Sequence, residues 1–204
     1  MKNYIVINGH KTKLTAEQVA QIKASFPEKR IRLGDKVPGS TAMIGSHEMI
    51  VLDHVGDGTL LLRKDFLKKM AFGNSNNYDG SDVDELCNEF ADEIAEIIGE
   101  ENILIHEVDL TADDGLKDYG IVQRKASLRT AQMQREYVAV LDQYKPADWE
   151  WLATAYSTPT HESPSWVKCV ARSGYFNSSR FNNRVIGVRP FFIFNSSIFE
   201  SSEE

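Results

Sequence analysis

The chain predicts an α+β fold, and three features carry that expectation. A hairpin of apolar runs lies around residues 49–62, one long amphipathic helical pattern follows it, and the C-terminal part breaks into short strand-like runs separated by Gly, Ser, Asn and Pro. Strand-rich and loop-rich sequence after a central helix argues for irregular connections. At 204 residues with 42% hydrophobic side chains, the chain can bury a core as one domain or as one domain with a small appendage.

Tyr4-Ile5-Val6-Ile7 followed by Asn8-Gly9 reads as a strand entering a tight hairpin, because Asn-Gly accepts the positive φ angles of a type I′ turn. Lys11 to Leu14 is the returning strand. Thr15 and Gln18 form a capping box ahead of Val19, Ile22 and Phe26, which share one helical face, and Pro27 helps to end that helix. Residues 1–33 are therefore expected as a small hairpin-helix unit. The Gly- and Pro-containing stretch from Arg30 to Ser40 joins it to a main domain at 34–204, with the boundary near Gly34.

The main domain opens with Met49-Ile50-Val51-Leu52 and Thr59-Leu60-Leu61-Leu62, two apolar runs around a loop holding Gly56, Asp57 and Gly58. The polar stretch between Phe72 and Ser81 is a loop. Ser81 and Asp84 make a second capping box, and Val83, Leu86, Cys87, Phe90, Ile94, Ile97 and Ile98 recur at helical spacing. That stripe should lie on the core while Asp82, Glu85, Glu89, Asp92, Glu93 and Glu96 face water. Ser127 and Thr130 precede a shorter helical pattern through Met133 and Tyr137. Trp149, Trp151 and Tyr156 then crowd before a loop, and short strands follow: Trp166 to Ala171, a Ser173-Gly174 turn, Tyr175 onward, and Val185 to Phe194.

Net charge is −7, and its distribution is uneven. From Met70 to Leu116 there are 14 acidic residues and no Lys or Arg, whereas Ser163 to Phe199 holds no Asp or Glu but carries Lys168, Arg172, Arg180, Arg184 and Arg189. A basic, amide-rich and aromatic-rich stretch in an acidic chain points to a contact surface. Cys87 and Cys169 are too few for a disulfide framework and lack metal-ligand spacing, so both are expected as buried thiols. The start has no apolar run of signal-peptide length, and no later segment approaches the ~20 apolar residues of a membrane span. A soluble protein, cytoplasmic at synthesis, is expected, with no membrane partner and no direct contact with nucleic acid.

Four blocks in order carry a resemblance: IVLDHVGDGTLLLRKD (Ile50 to Asp65), EVDLTADDGLKDYG (Glu107 to Gly120), SLRTAQMQREY (Ser127 to Tyr137) and WLATAYSTP (Trp151 to Pro159). The ending WVKCVARSGYFNSSRFNNRVIGVRPFFIF, Trp166 to Phe194, adds an Asn-rich loop leading into a Gly-Val-Arg-Pro strand. Over about residues 32–198 the chain resembles an uncharacterised domain family of gut bacteria and their phages, which looks like a branch of the C-type-lectin-like superfamily. Formylglycine-generating enzymes and the variable proteins of diversity-generating retroelements belong to the same superfamily. The resemblance implies a C-type-lectin-like domain whose C-terminal loops and strands form an open recognition surface. It implies association with a phage, prophage or virion, and the Asn-rich loop is compatible with a retroelement-diversified receptor. Carried over by position, the ligand- or partner-binding residues are Trp166, Lys168, Arg172, Tyr175, Asn177, Ser179, Arg180, Asn182, Asn183 and Arg184, with Gly187, Val188, Arg189 and Pro190 structural. Tyr and Trp supply contact area at low entropic cost, and Asn and Ser supply adaptable hydrogen bonds.

No catalytic residue, cofactor or metal site is expected. Formylglycine-generating enzymes use paired cysteines near the C-terminus, and only Cys169 lies there. The five histidines are dispersed without ligand spacing, no GxSxG, P-loop or GxGxxG occurs, and the oxygen donors from Asn74 to Asp84 miss the EF-hand pattern. Arg189, inside an apolar strand, should make a buried charge-assisted bond. The expected function is recognition of a protein or glycan ligand. The alternative is inhibition of a basic host defence nuclease by the acidic surface of Asp82, Glu85, Glu89, Asp92, Glu93 and Glu96 acting as a nucleic-acid mimic.

Overall fold

Local signals set the first element of order. The Thr15 amide donates to Gln18 Oε1 at 3.0 Å and the Gln18 amide donates to Thr15 Oγ1 at 3.2 Å, a reciprocal capping box that starts α1 (Ala16–Ser25). Ahead of it, β1 (Tyr4–Ile7) pairs antiparallel with β2 (His10–Lys13). The computed structural model describes residues 4–7, 10–25, 30–161 and 164–201; the Asn8-Gly9 turn and the stop at Pro27 lie outside them. The chain divides into two compact units, Met1–Arg30 and Ile31–Glu204. The second begins before Gly34 because Leu33 is fully buried in its core and donates its amide to the Ile198 carbonyl at 2.9 Å.

The larger unit is mixed α+β, mostly sheet with few helices. It runs through β3 (Thr41–Ile44), β4 (His47–Val55), β5 (Gly58–Arg63), β6 (Lys68–Lys69), α2 (Asp82–Ile98), β7 (Ile103–Leu104), β8 (His106–Asp109), β9 (Ile121–Arg124) and β10 (Ala126–Ser127). The short helices α3 (Ala131–Glu136) and α4 (Val138–Leu141) follow, then β11 (Glu150–Ala155), β12 (Trp166–Val170), β13 (Phe176–Arg180), β14 (Gly187–Val188) and β15 (Phe191–Asn195). One sheet has the order β10-β15-β5-β4-β3, with β7 also on β15; a second has the order β13-β12-β11-β14-β6; β8 and β9 form a separate ribbon.

Alternation along β4 and β5 places the first sheet between helices. Met49, Val51 and Leu61 join the large core with Val83, Cys87, Phe90 and Ile94 of α2, whereas Ile50, Leu52, Leu60 and Leu62 meet Leu141, Met133 and Tyr137 of the α3–α4 segment. Helix α2 forms as its spacing demands, with two corrections. Ile97 is exposed, because the buried stripe steps from Phe90 to Ile94 and on toward Ile98. The capping box is only half made: Ser81 Oγ accepts from the Asp84 amide at 3.2 Å, but the Asp84 carboxylate accepts from the Gly80 amide and from Arg124 instead.

The single strand expected from Val185 to Phe194 is two. β14 belongs to the second sheet and β15 to the first, and Arg189-Pro190 carries the chain between them. The four residues there are structural. A Cβ on Gly187 would lie 2.4 Å from the Phe66 ring, Val188 is fully buried, and the Pro190 carbonyl accepts from the Arg63 amide. Arg189 is buried as expected, donating from Nε to the Arg63 carbonyl at 2.8 Å and from Nη1 to Glu150 Oε2 at 3.1 Å.

Glu150 is itself 0% exposed, and its Oε1 accepts from Arg129 Nη1, whose Nε donates to Gln134 Oε1 at 2.7 Å. Burial pushes the Glu150 carboxyl up, but the two guanidiniums outweigh this and hold it below the usual carboxylate range. Glu150→Gln keeps the shape and removes the charge, leaving two buried guanidiniums uncompensated. It should cost about 3–5 kcal/mol in urea unfolding. A loss under about 1 kcal/mol would show that the triad does not hold the junction.

Candidate functional site

The C-terminal hairpin builds the site. β12 and β13 pair from Trp166–Arg180 to Val170–Phe176, and the turn between them uses Gly174 at φ +83°, a left-handed value that favours glycine. β13 is the outer strand of its sheet. Because residues two apart share a face, Trp166, Lys168, Ser178 and Arg180 lie on one side of the hairpin, while Val167 and Cys169 point into the core.

On that face Arg180 sits over the Trp166 ring at 5.6 Å and Lys168 Nζ over the Tyr156 ring at 5.8 Å. Lys168 is buried rather than free for a ligand: Nζ lies 3.0 Å from Asp113 Oδ2, and Asp113 Oδ1 accepts from Arg135 Nη2 at 3.0 Å. Burial pushes the Asp113 carboxyl up, and these two cations bring it below its ordinary range. Arg135 in turn covers Phe176, with 5.1 Å from guanidinium to ring centroid. The cleft is also pinned from beneath. Asn76, 1% exposed, donates to the Ser157 carbonyl at 2.8 Å and the Trp166 carbonyl at 3.1 Å, and accepts from Tyr119 Oη at 2.6 Å. Tyr156, Trp166, Asn177 and Ser178 line a hollow of about 340 Å³.

The ten expected contact residues thus divide. Trp166 on β12, and Tyr175, Asn177, Arg180, Asn182 and Arg184 along β13 and its flanking turns, are exposed. Arg172 is exposed too, in the same β12–β13 turn as Tyr175 and at the opposite end of the hairpin from Trp166 and Arg180, and it lines a different hollow with Lys145 and Tyr144. Ser179 and Asn183 are half-buried and serve the turn: Asn183 Nδ2 donates to Ser179 Oγ at 3.0 Å, and Asn183 Oδ1 accepts from the Val185 amide at 3.2 Å. The segment 175–184 is therefore part regular strand and part turn, not a free loop. Tyr156, Ser178 and the Asp113–Arg135 pair went unseen in the sequence. The aromatic crowding before Tyr156 was the one signal there, and nothing local marks Asp113 as the partner of Lys168.

The acidic residues of α2 stand where the spacing puts them. Asp82, Glu85, Glu89, Asp92, Glu93 and Glu96 are all exposed, spanning roughly 20 Å of helix. Glu93 Oε1 is 3.0 Å from His47 Nε2. Among the described residues no group of three or more His, Cys, Asp or Glu side chains could hold a metal ion, and no helix is long and apolar enough to cross a membrane. Burial pushes the thiol of Cys87 up to about 12 and that of Cys169 up to about 11, so neither is a ready nucleophile. Comparison of the chain with family models, with curated proteins and with solved structures finds no match.

One Ser–His contact resembles part of a catalytic set: His106 Nε2 lies 2.9 Å from Ser127 Oγ. Both residues are buried, and the ring packs edge-on to Phe191 at 5.0 Å. Burial pushes the imidazole down to about 4, with the Leu104 backbone opposing this only in part. Below pH ~6.5 the unfolded chain takes up a proton that the folded chain refuses until about pH 4, so stability is full above 6.5 and falls between those values. The loss should be on the order of 2–3 kcal/mol, read as the urea midpoint against pH. His106→Gln should flatten that window relative to the parent. Equal losses in both proteins would remove His106 as the source.

Proposed function

We propose that this chain is a non-enzymatic recognition protein with a C-type-lectin-like larger domain, associated with a phage or prophage, that binds a protein or glycan ligand at the open edge of its second sheet. One observation carries the proposal. In a chain of net charge −7, the β12–β13 hairpin and the turns at its two ends expose Trp166, Tyr175, Asn177, Arg180, Asn182 and Arg184, with no carboxylate anywhere in residues 164–199. Their side chains are available for contact. Two of the edge's backbone groups are already engaged, since the Ser178 amide donates to Asn177 Oδ1 at 2.8 Å and the Arg180 carbonyl accepts from the Asn183 amide at 3.0 Å, which disfavours strand addition. Contact then runs through side chains. The lectin-like assignment draws on the ordered blocks across residues 32–198 and on the mixed, mostly antiparallel architecture around one packed helix. A retroelement-diversified variable protein is the form of this reading that the Asn-rich stretch favours.

Changing Tyr175, Asn182 and Arg184 together to Ala should leave the melting temperature within a few degrees of the parent. Affinity for a partner captured by the parent chain should fall by ~2 kcal/mol or more, because aromatic and arginine anchors dominate interface energy. Undiminished affinity would sink the proposed face. Unfolding of the variant would show that these side chains belong to the core.

A second reading, a phage-encoded inhibitor of a host defence nuclease, is favoured by the carboxylate row along α2. No Lys or Arg occurs from Met70 to Leu116 to neutralise it locally, although Arg124 and Lys125 approach its flanks. Binding through that row should weaken steeply with salt, whereas contact through the β13 edge should not. Glu85, Glu89 and Glu96 changed together to Gln should abolish inhibition under this reading and leave the first one untouched.

A further inference from the structure

We propose that the Met1–Arg30 unit is a self-association module, in which the open edge of β1 pairs antiparallel with β1 of a second copy of this chain. The sheet formed by β1 and β2 has two strands, so each has one edge without a ladder partner among the described residues. The two edges differ in chemistry. β2 carries Lys11 and Lys13, the kind of charge that guards an edge strand, whereas Tyr4-Ile5-Val6-Ile7 holds no charged residue, no proline and no glycine. The unguarded edge is the one that can accept a strand.

The unit is also too small to stand alone. Met1–Arg30 falls below the ~40 residues at which a chain usually folds without a disulfide, a metal or a partner. Cys87 and Cys169 both lie in the larger unit, and among the described residues no group of three or more His, Cys, Asp or Glu side chains could hold a metal ion. Of the described side chains ahead of Leu33 none is buried, and Leu14 and Val19 are only half-buried. An isolated two-stranded hairpin is marginal in water, whereas three or more strands packed on helices are not. Joining two copies edge to edge makes such a sheet, with β1 strands at its centre and β2 strands outside.

The hairpin register decides which backbone groups face outward. Ile7 opposite His10 closes a two-residue connection as a hydrogen-bonded pair, so Ile5 and Thr12 form the next such pair, and Tyr4 and Val6 turn their amides and carbonyls away from β2. A two-fold axis at Ile5 then sets Tyr4 of one copy opposite Val6 of the other as hydrogen-bonded pairs, with the two Ile5 residues directly opposite each other between them. Pairing of this kind is isologous and closes at two copies. Charge selects the same edge. Pairing through β2 would set Lys11 of one copy opposite Lys13 of the other, about 5 Å apart at the backbone. Pairing through β1 leaves the two β2 strands three strand spacings, about 14 Å, apart, beyond the ~8 Å screening length at physiological salt.

The test uses the full chain. Sedimentation velocity should show a reversible dimer of the parent. Val6→Pro removes an amide turned toward the second copy while leaving the bonds between β1 and β2, so it should weaken dimerisation at least about tenfold. Ile5→Cys should form an intermolecular disulfide on mild oxidation, because directly opposed residues of a non-hydrogen-bonded pair lie ~4.5 Å apart, within disulfide reach. Thr12→Cys, opposite Ile5 on the guarded strand, should stay free, as should the parent, whose Cys87 and Cys169 are buried. Cross-linking is read without Val6→Pro, so the outcome does not hang on the folding of that variant. A parent that stays monomeric up to its solubility limit, a dimer unweakened by Val6→Pro, or Ile5→Cys cross-linking no faster than Thr12→Cys would each overturn the proposal.

Discussion

The fold depends on one buried carboxylate held between two guanidiniums. Glu150 opens β11 in the second sheet, Arg129 follows β10 of the first, and Arg189 sits at the point where the chain passes from β14 to β15. Removing three charged groups from water is costly, and their mutual attraction offsets part of that cost; further hydrogen bonds help, although Arg189 Nη2 is buried without a partner among the described residues. Gln134 accepts from Arg129, and the Arg63 carbonyl accepts from Arg189. The triad therefore ties both sheets and α3 to one location. Apolar packing alone would allow the sheets to slide relative to one another. A charge trio has a single satisfied arrangement, so its contribution here is to the register of the junction more than to net stability.

Much of the framework is legible in the sequence because it rests on local physics. The β4–β5 hairpin, the spacing of α2 and its Ser81 cap, and the Ser173-Gly174 turn each follow from residues within a few positions of one another. What stays hidden is long-range. The apolar run from Val185 to Phe194 has no internal mark of a change of sheet except Pro190, which lacks the amide that a continuous ladder needs. Glu150 reads as an ordinary polar residue before Trp151, since both of its partners lie far along the chain. Ile97 fits the apolar stripe by spacing but falls at the last turn of α2, where the buried line has rotated toward Ile98.

The candidate site is legible to a different degree. The charge reversal near the C-terminus falls on the β12–β13 hairpin and the turn after it, where six of the expected side chains are exposed. Lys168 misleads for a physical reason. It is flanked by Val167 and Cys169 in a strand buried on its core face, and the only way to place an ammonium on such a strand is to supply a carboxylate, which Asp113 does from a distant loop. Asn76 misleads in the other direction. In a run of polar residues it reads as solvated loop, yet it is buried and satisfies two carbonyls beneath the aromatic cleft.

These placements separate what can vary from what cannot. Tyr175, Asn182 and Arg184 point outward and carry no load in the core, and Asn177 uses its carbonyl only on its own neighbour. Ser179 and Asn183 are different, since their mutual bond and the Val185 contact shape the turn into β14. From Ile186 to Phe192 the chain is buried throughout: Gly187 has no room for a Cβ against Phe66, and Arg189 belongs to the triad. A tolerant edge strand abutting an intolerant crossover lets the exposed surface change its chemistry without disturbing the junction below it. The boundary between adaptable and fixed sequence therefore falls at Val185 and Ile186 rather than at the ends of any strand.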